Sequence, residues 1–295
     1  GNTVCFPVGT FEYRVDVSNN GIGVNFPGNI YKVDWGDGTS NDYTYCDIKQ
    51  NNDRISHTYT KSSCGFSYQS GNQTFYNAFG VNVGLISPFC GAIGSPLSTP
   101  AKVVTRPENL FSFPPIACIN DEIIFNNQSL PGEKANTNFP GCAPNDVKYN
   151  WYVDGTLAAS AKPLTYNLVH KFITTGKHKI RLSSISDGNC QAEDLELEIC
   201  VQERPKPSFT LPGNLICLTS GTLTPANTSV LDNVSCPSTP VYTWNVVPAQ
   251  GVSYLGGTSK SSVTPQFKFS QSGVYNITLA VKTGNCQEIT LPQKE

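Results

Sequence analysis

Tyr149-Asn150-Trp151-Tyr152-Val153, followed by Gly176-Lys177-His178-Lys179-Ile180-Arg181-Leu182, decides the fold. Both stretches alternate their side chains with a period of two, the pattern of strands with one face buried and one face wet. The pair recurs as Tyr242-Thr243-Trp244-Asn245-Val246 with Gly273-Val274-Tyr275-Asn276-Ile277-Thr278-Leu279-Ala280-Val281. A looser copy comes first, Tyr31-Lys32-Val33-Asp34-Trp35 with Phe79-Gly80-Val81-Asn82-Val83-Gly84-Leu85. One Trp per copy makes the internal repeat the organising feature of the chain.

The cysteines follow the same repeat: Cys118 matches Cys217, Cys142 matches Cys236, and Cys190 in Gly188-Asn189-Cys190 matches Cys286 in Gly284-Asn285-Cys286. Boundaries fall at the proline joints Thr105-Arg106-Pro107 and Glu203-Arg204-Pro205-Lys206-Pro207, where proline stiffens a short link. Three domains are therefore expected, at 1–106, 107–204 and 205–295. Short alternating strands between turn signals predict an all-β chain, three tandem β-sandwiches in an elongated array.

Composition supports this and narrows the function. Of 295 residues, 25 are Gly and 21 Pro and only 14% are charged, which suits strands and turns better than helices. A formal charge of −2 gives no basic surplus for phosphates, so nucleic acid is not an expected partner. The longest uncharged apolar run, around Phe79 to Pro88, is too short to cross a membrane as a helix. Eleven cysteines, no Met and three His, without Cys-x-x-Cys spacing, point to an oxidised, extracellular protein rather than a zinc protein.

Val33-Asp34-Trp35-Gly36-Asp37-Gly38-Thr39 followed by His57-Thr58-Tyr59 resembles the signature of PKD-type (polycystic kidney disease) domains, which are Ig-like sandwiches. The second copy shortens it to Trp151-Tyr152-Val153-Asp154-Gly155, with His170-Lys171-Phe172 in place of His-x-Tyr. The third is more distant, with Trp244 and Phe267-Lys268-Phe269. Its wording is similar to cysteine-bearing PKD-like repeats of very large Bacteroidetes surface proteins, among them gliding-motility adhesins exported by type IX secretion. That resemblance implies a cell-surface location, attachment to a surface, polysaccharide or protein ligand, and neighbouring repeats of the same polypeptide as partners. PKD-like modules also occur as accessory spacers or carbohydrate-targeting regions of secreted polysaccharide-degrading enzymes and proteases. For that alternative, Tyr43, Tyr45, Tyr68 and Tyr254 are the candidate exposed aromatics.

Trp35, Asp37, His57, Tyr59, Trp151, His170 and Trp244 are read as structural, the histidines as strand residues packing near a Trp. Asp34 and Asp37 could contribute oxygens to a calcium ion, but without a D-x-D-x-D-G loop no cofactor is expected. No catalytic residues are expected, because His57, His170 and His178 lie on repeat strands in two different domains and no nucleophile assembles with them. Glu193, Asp194, Glu196 and Glu198 are read as a solvated strand edge. The sequons at Asn72, Asn127, Asn227, Asn233 and Asn276 are an expected consequence of an Asn- and Thr-rich composition.

In an Ig-like sandwich, Cys142 and Cys190 belong at one pole and Cys118 and Cys200 at the other, so each pair is expected to bond. The same rule pairs Cys236 with Cys286 and leaves Cys217 without a partner, as if the third repeat were cut short of its last strand end. Cys5, Cys46, Cys64 and Cys90 allow three connectivities, and placement by pole favours Cys46 with Cys90 and Cys5 with Cys64.

Overall fold

The computed structural model describes residues 3–7, 9–15, 28–213, 215–217, 219–232, 236–290 and 293–294. The sequon at Asn233 lies outside these residues. The described residues form an all-β protein with three separate cores, one per repeat.

In the first core, the alternation in Phe79–Ser87 becomes a strand whose odd-numbered residues are buried. It lies between Gly91–Thr105 and Ile30–Asp34 in a five-stranded sheet, with Thr3–Phe6 and Ser40–Tyr43 at the two edges. Thr10–Arg14 pairs with Arg54–Thr58 to make the opposing sheet. The second sandwich repeats the order: Ile116–Cys118, Leu195–Gln202, Gly176–Ser186, Val147–Val153, Thr156–Lys162. Its other face is Phe111–Ser112, Glu122–Asn127 and Leu168–Lys171. In the third, Val241–Val247 pairs with Asn276–Thr283 and this with Cys286–Ile289, opposite Thr222–Leu223, Phe267–Phe269 and Val252–Tyr254. The leading strands Thr3–Phe6 and Ile116–Cys118 run parallel to the closing strands of their own sandwiches, so the start and end of the first and second units share a pole.

Each Trp sits at the centre of its core: Trp35 and Trp151 are fully buried and Trp244 nearly so. In the second core Phe111 meets the Trp151 ring edge-on at 5.2 Å, and in the third Phe209 meets Trp244 the same way at 5.0 Å. Such aromatic pairs bind the two sheets beyond simple area burial. The stretch between Tyr43 and Arg54, inserted in the first unit alone, holds a helix over Tyr45–Gln50. Thr44 caps it through a reciprocal pair of bonds with Asp47, and Ile48 anchors it in the core.

Trp151→Ala removes the largest buried side chain of the second core, and the expected loss is about 3–5 kcal/mol of stability. Chemical denaturation of the variant checks this; a loss below about 1 kcal/mol would contradict the central placement of the ring.

Candidate functional site: the two domain junctions

Trp35, Tyr59, Trp151 and Trp244 lie in the cores, whereas Asp37, His57 and His170 are half-buried beside them. The Gly36 turn presses on Gly80, where an added Cβ would lie 2.7 Å from the Gly80 carbonyl oxygen, and its φ of 75° also favours glycine. Asp37 Oδ1 accepts from the Thr39 amide at 2.9 Å and hydroxyl at 2.6 Å, and Oδ2 lies 2.8 Å from His57 Nε2. His57 stacks flat on Trp35 at 4.8 Å, and the Tyr59 hydroxyl donates to the Trp35 carbonyl. Both Asp37 oxygens are thus engaged by protein donors, and Asp34 Oδ1 accepts from the Gly36 amide. Among the described residues no group of three or more His, Cys, Asp or Glu side chains gathers as metal ligands.

The second sandwich keeps the acid but takes its imidazole from another strand. Asp154 Oδ2 lies 2.7 Å from Nδ1 of His178. His170, in the place of His57, instead meets the Phe172 ring at 4.7 Å, and burial lowers its pKa. This Asp154–His178 pair escapes sequence reading because His178 lies 24 residues away on a neighbouring strand. The acids Glu193, Asp194, Glu196 and Glu198 pair with Arg106, Arg181, Lys179 and Lys177, the last two pairs across neighbouring strands. Tyr45 is the most exposed of the four tyrosines considered for sugar binding; Tyr68 packs on Gly80 and Tyr254 on Phe267.

The chemistry that stands out lies between the sandwiches. Four disulfides form, Cys5–Cys190, Cys64–Cys142, Cys118–Cys286 and Cys200–Cys236, and every one joins two neighbouring units. This corrects the expected pairings Cys142–Cys190, Cys118–Cys200, Cys236–Cys286 and Cys5–Cys64, all of which lay within one domain. It also corrects Cys46–Cys90, since both are exposed thiols, as is Cys217. The physical reason is the short proline link. It holds the end pole of one unit against the start of the next, so the two cysteines at a pole find partners across the gap at Cα separations of 5.5–5.8 Å.

Polar contacts complete each junction. At the first, the fully buried Asn77 uses its whole amide: Nδ2 donates to the carbonyls of Asn136 and Phe139, and Oδ1 accepts from the amides of Gly65 and Gly141. Two of these partners flank Cys64 and Cys142, so the amide stitches together the loops that the disulfide joins. Ser63 ties the same loop to Val103 on the closing strand, which brings Cys64 to the pole that Cys200 occupies in the second unit. Glu133 accepts from both the amide and the hydroxyl of Thr105. Burial disfavours its charge, but these bonds outweigh burial and hold its carboxyl below the usual range.

At the second junction, the fully buried Gln202 donates through Nε2 to the Thr283 carbonyl and hydroxyl, each at 2.6 Å. Arg204, in the link itself, bridges Asp121 of the second unit and Glu288 of the third. Gly284 meets Ile116 so closely that a Cβ would lie 2.7 Å from its Cγ2, and Asn285 donates to the Ile116 carbonyl.

The covalent consequence is a short circuit. A load between residues 1 and 295 crosses from Cys5 to Cys190, follows the backbone to Cys200, crosses to Cys236 and continues to the end. Residues 6–189 and 201–235 are bypassed. In the chain-entropy model, closing loops of 36 to 185 residues contributes roughly 4–5 kcal/mol per bond taken singly.

No protein-family model and no curated protein matches this chain. The fibronectin(III)-like modules of Clostridium thermocellum CbhA align at a TM-score of 0.26 and 14% identity, over 66% of this chain and 86% of that one. The FN1–FN3 domains of chicken CNTN1 align at 0.33 and 10%, over 90% and 87%. The three-domain ectodomain of mouse nectin-like molecule 4 aligns at 0.28 and 11%, over 98% and 94%.

Two outcomes are expected at these sites. Asn77→Asp exchanges two donors for acceptors facing carbonyls, and should cost about 2–3 kcal/mol and open the first junction to protease while the Trp-centred cores stay folded; unchanged proteolysis would contradict the role given to Asn77. At Asp37, burial opposes the charge, but the bonds from Thr39 and His57 prevail and depress its pKa. Its stabilisation is therefore complete above the unfolded value of about 3.9 and is lost as pH falls through the depressed folded value. In Asp37→Asn this acid-side loss should shrink, as read from denaturation midpoints between neutral and acidic pH.

Proposed function

We propose that this chain is a non-catalytic segment of a long extracellular adhesin, in which cross-linked Ig-like units form a stiff stalk or adhesive array at the cell surface. The observation that carries this reading is that all four disulfides join units instead of closing them. A domain that merely had to survive outside the cell would gain as much from an internal bond. Bonds across every junction instead resist bending and extension, properties useful to a load-bearing filament. Disulfides at this density also suit an oxidising, extracellular location.

The folding units of this proposal divide at 1–106, 107–204 and 205–295, and each is a PKD-like repeat by the motif around Trp35, Trp151 and Trp244. The resemblance to gliding-motility adhesins extends the proposal to surface attachment during movement and to export by the type IX route. The contacting partner would be a surface polysaccharide or protein.

An antibody against this segment, used on cell-surface and culture fractions of the source organism, tests the reading. The expected result is a cell-bound polypeptide of several hundred kilodaltons whose shedding reduces attachment. A released protein of ordinary enzyme size, carrying hydrolase activity, would overturn it in favour of an accessory region.

A further inference from the structure

Two of the three thiols that remain free, Cys90 and Cys217, follow a rule, and Cys46, in the helix of the first unit, stands outside it. One class of cysteine lies on or beside the leading strand of a unit: Cys5 in Thr3–Phe6, Cys118 in Ile116–Cys118, and Cys217 at the matching place in the third. A second class lies at the turn after the central strand: Cys90 after Phe79–Ser87, Cys190 after Gly176–Ser186, and Cys286 after Asn276–Thr283. Each bonded leading-strand cysteine takes the turn cysteine of the next unit, Cys5 with Cys190 and Cys118 with Cys286. Applied to all three units, the rule leaves unpaired Cys217, the leading cysteine of the third, and Cys90, the turn cysteine of the first. Both are exposed thiols.

The ground beside Cys217 bears the same mark. At the occupied junction, Ile116, two residues before Cys118, is covered by Gly284 and Asn285. Its counterpart Leu215, two residues before Cys217, is 91% exposed. It borders an apolar hollow of about 210 Å³ shared with Ile216, Gly221, Phe269 and Tyr275. An uncovered leucine, an apolar hollow and a free thiol thus stand where the second unit has a covered isoleucine and a disulfide.

We infer that this pole of the third sandwich is a docking face for a further Ig-like domain presenting a Gly-Asn-Cys turn, and that Cys217 forms a disulfide with that turn. The bond forms as two S–H bonds break, and the two protons and two electrons pass to a disulfide oxidant, which is reduced to thiols. This docking follows from the junction geometry and is independent of the adhesin reading.

The test fuses a second copy of residues 200–295 behind Glu295 of the full chain and oxidises it in a glutathione redox buffer. Peptide mapping should find Cys217 bonded to the added copy of Cys286, with the number of alkylatable thiols held at the three of the parent chain. Cys217→Ser in the original copy should then release the added Cys286 to alkylation without disturbing the other bonds. Formation of the added Cys200–Cys236 bond is scored first, as the check that the added unit has folded. If it fails to form, the fusion is remade with residues 107–204, whose Gly188-Asn189-Cys190 turn is the alternative donor. Cys217 remaining alkylatable in the first fusion once its added unit has folded, or in the second where the first has not, or bonded to Cys46 or Cys90, would overturn the proposal.

Discussion

Three covalent connections cross each junction: the backbone link and two disulfides. Three attachments that do not lie on one line fix the orientation of one body on another, and the remaining contacts depend on this constraint. The buried amide of Asn77 and the buried Nε2 of Gln202 can be matched to carbonyls in the adjoining unit only because the two poles are held in one register. A buried amide without such partners would cost more than it contributes. The disulfides supply the register, and the polar contacts in turn exclude alternative dockings.

Because no disulfide lies inside a sandwich, each core must stand on packing. Units of about 100 residues bury a modest fraction of their unfolded surface, so the central Trp and its aromatic neighbours carry much of the burden. The three cores solve the polar edge of this problem differently. The first pairs Asp37 with a histidine stacked on the Trp, the second pairs Asp154 with His178 from another strand, and the third turns the Tyr275 hydroxyl to the Gln271 carbonyl. The variation shows that the cores tolerate different ways of closing that edge.

The period-two strands around Trp35, Trp151 and Trp244 made the all-β class and the three-fold repeat legible, because burial on one face leaves its mark on every second residue. The poles at which the cysteines sit could be read for the same reason: they follow from strand order. Their partners could not, because strand order within one sandwich does not show which pole of a neighbouring unit lies against it. One signal was present. The first repeat has no cysteine ahead of its Trp strand to match Cys142 and Cys236, which an internal staple would require and a bond to a preceding unit would not. The clamps at Asn77, Gln202 and Arg204 left no sequence trace, since an isolated Asn, Gln or Arg reads as surface until the neighbouring unit is in place.

Single-molecule stretching between the two ends of the oxidised chain tests the central claim most directly. At about 3.5 Å per residue, the bypass limits the fully unfolded oxidised chain to about 260 Å, against about 1,000 Å after reduction. The account predicts a short contour in oxidising buffer and release of the hidden length on adding a reductant. Disulfides closed within each domain would leave the links free and give a longer oxidised contour, and that result would contradict it.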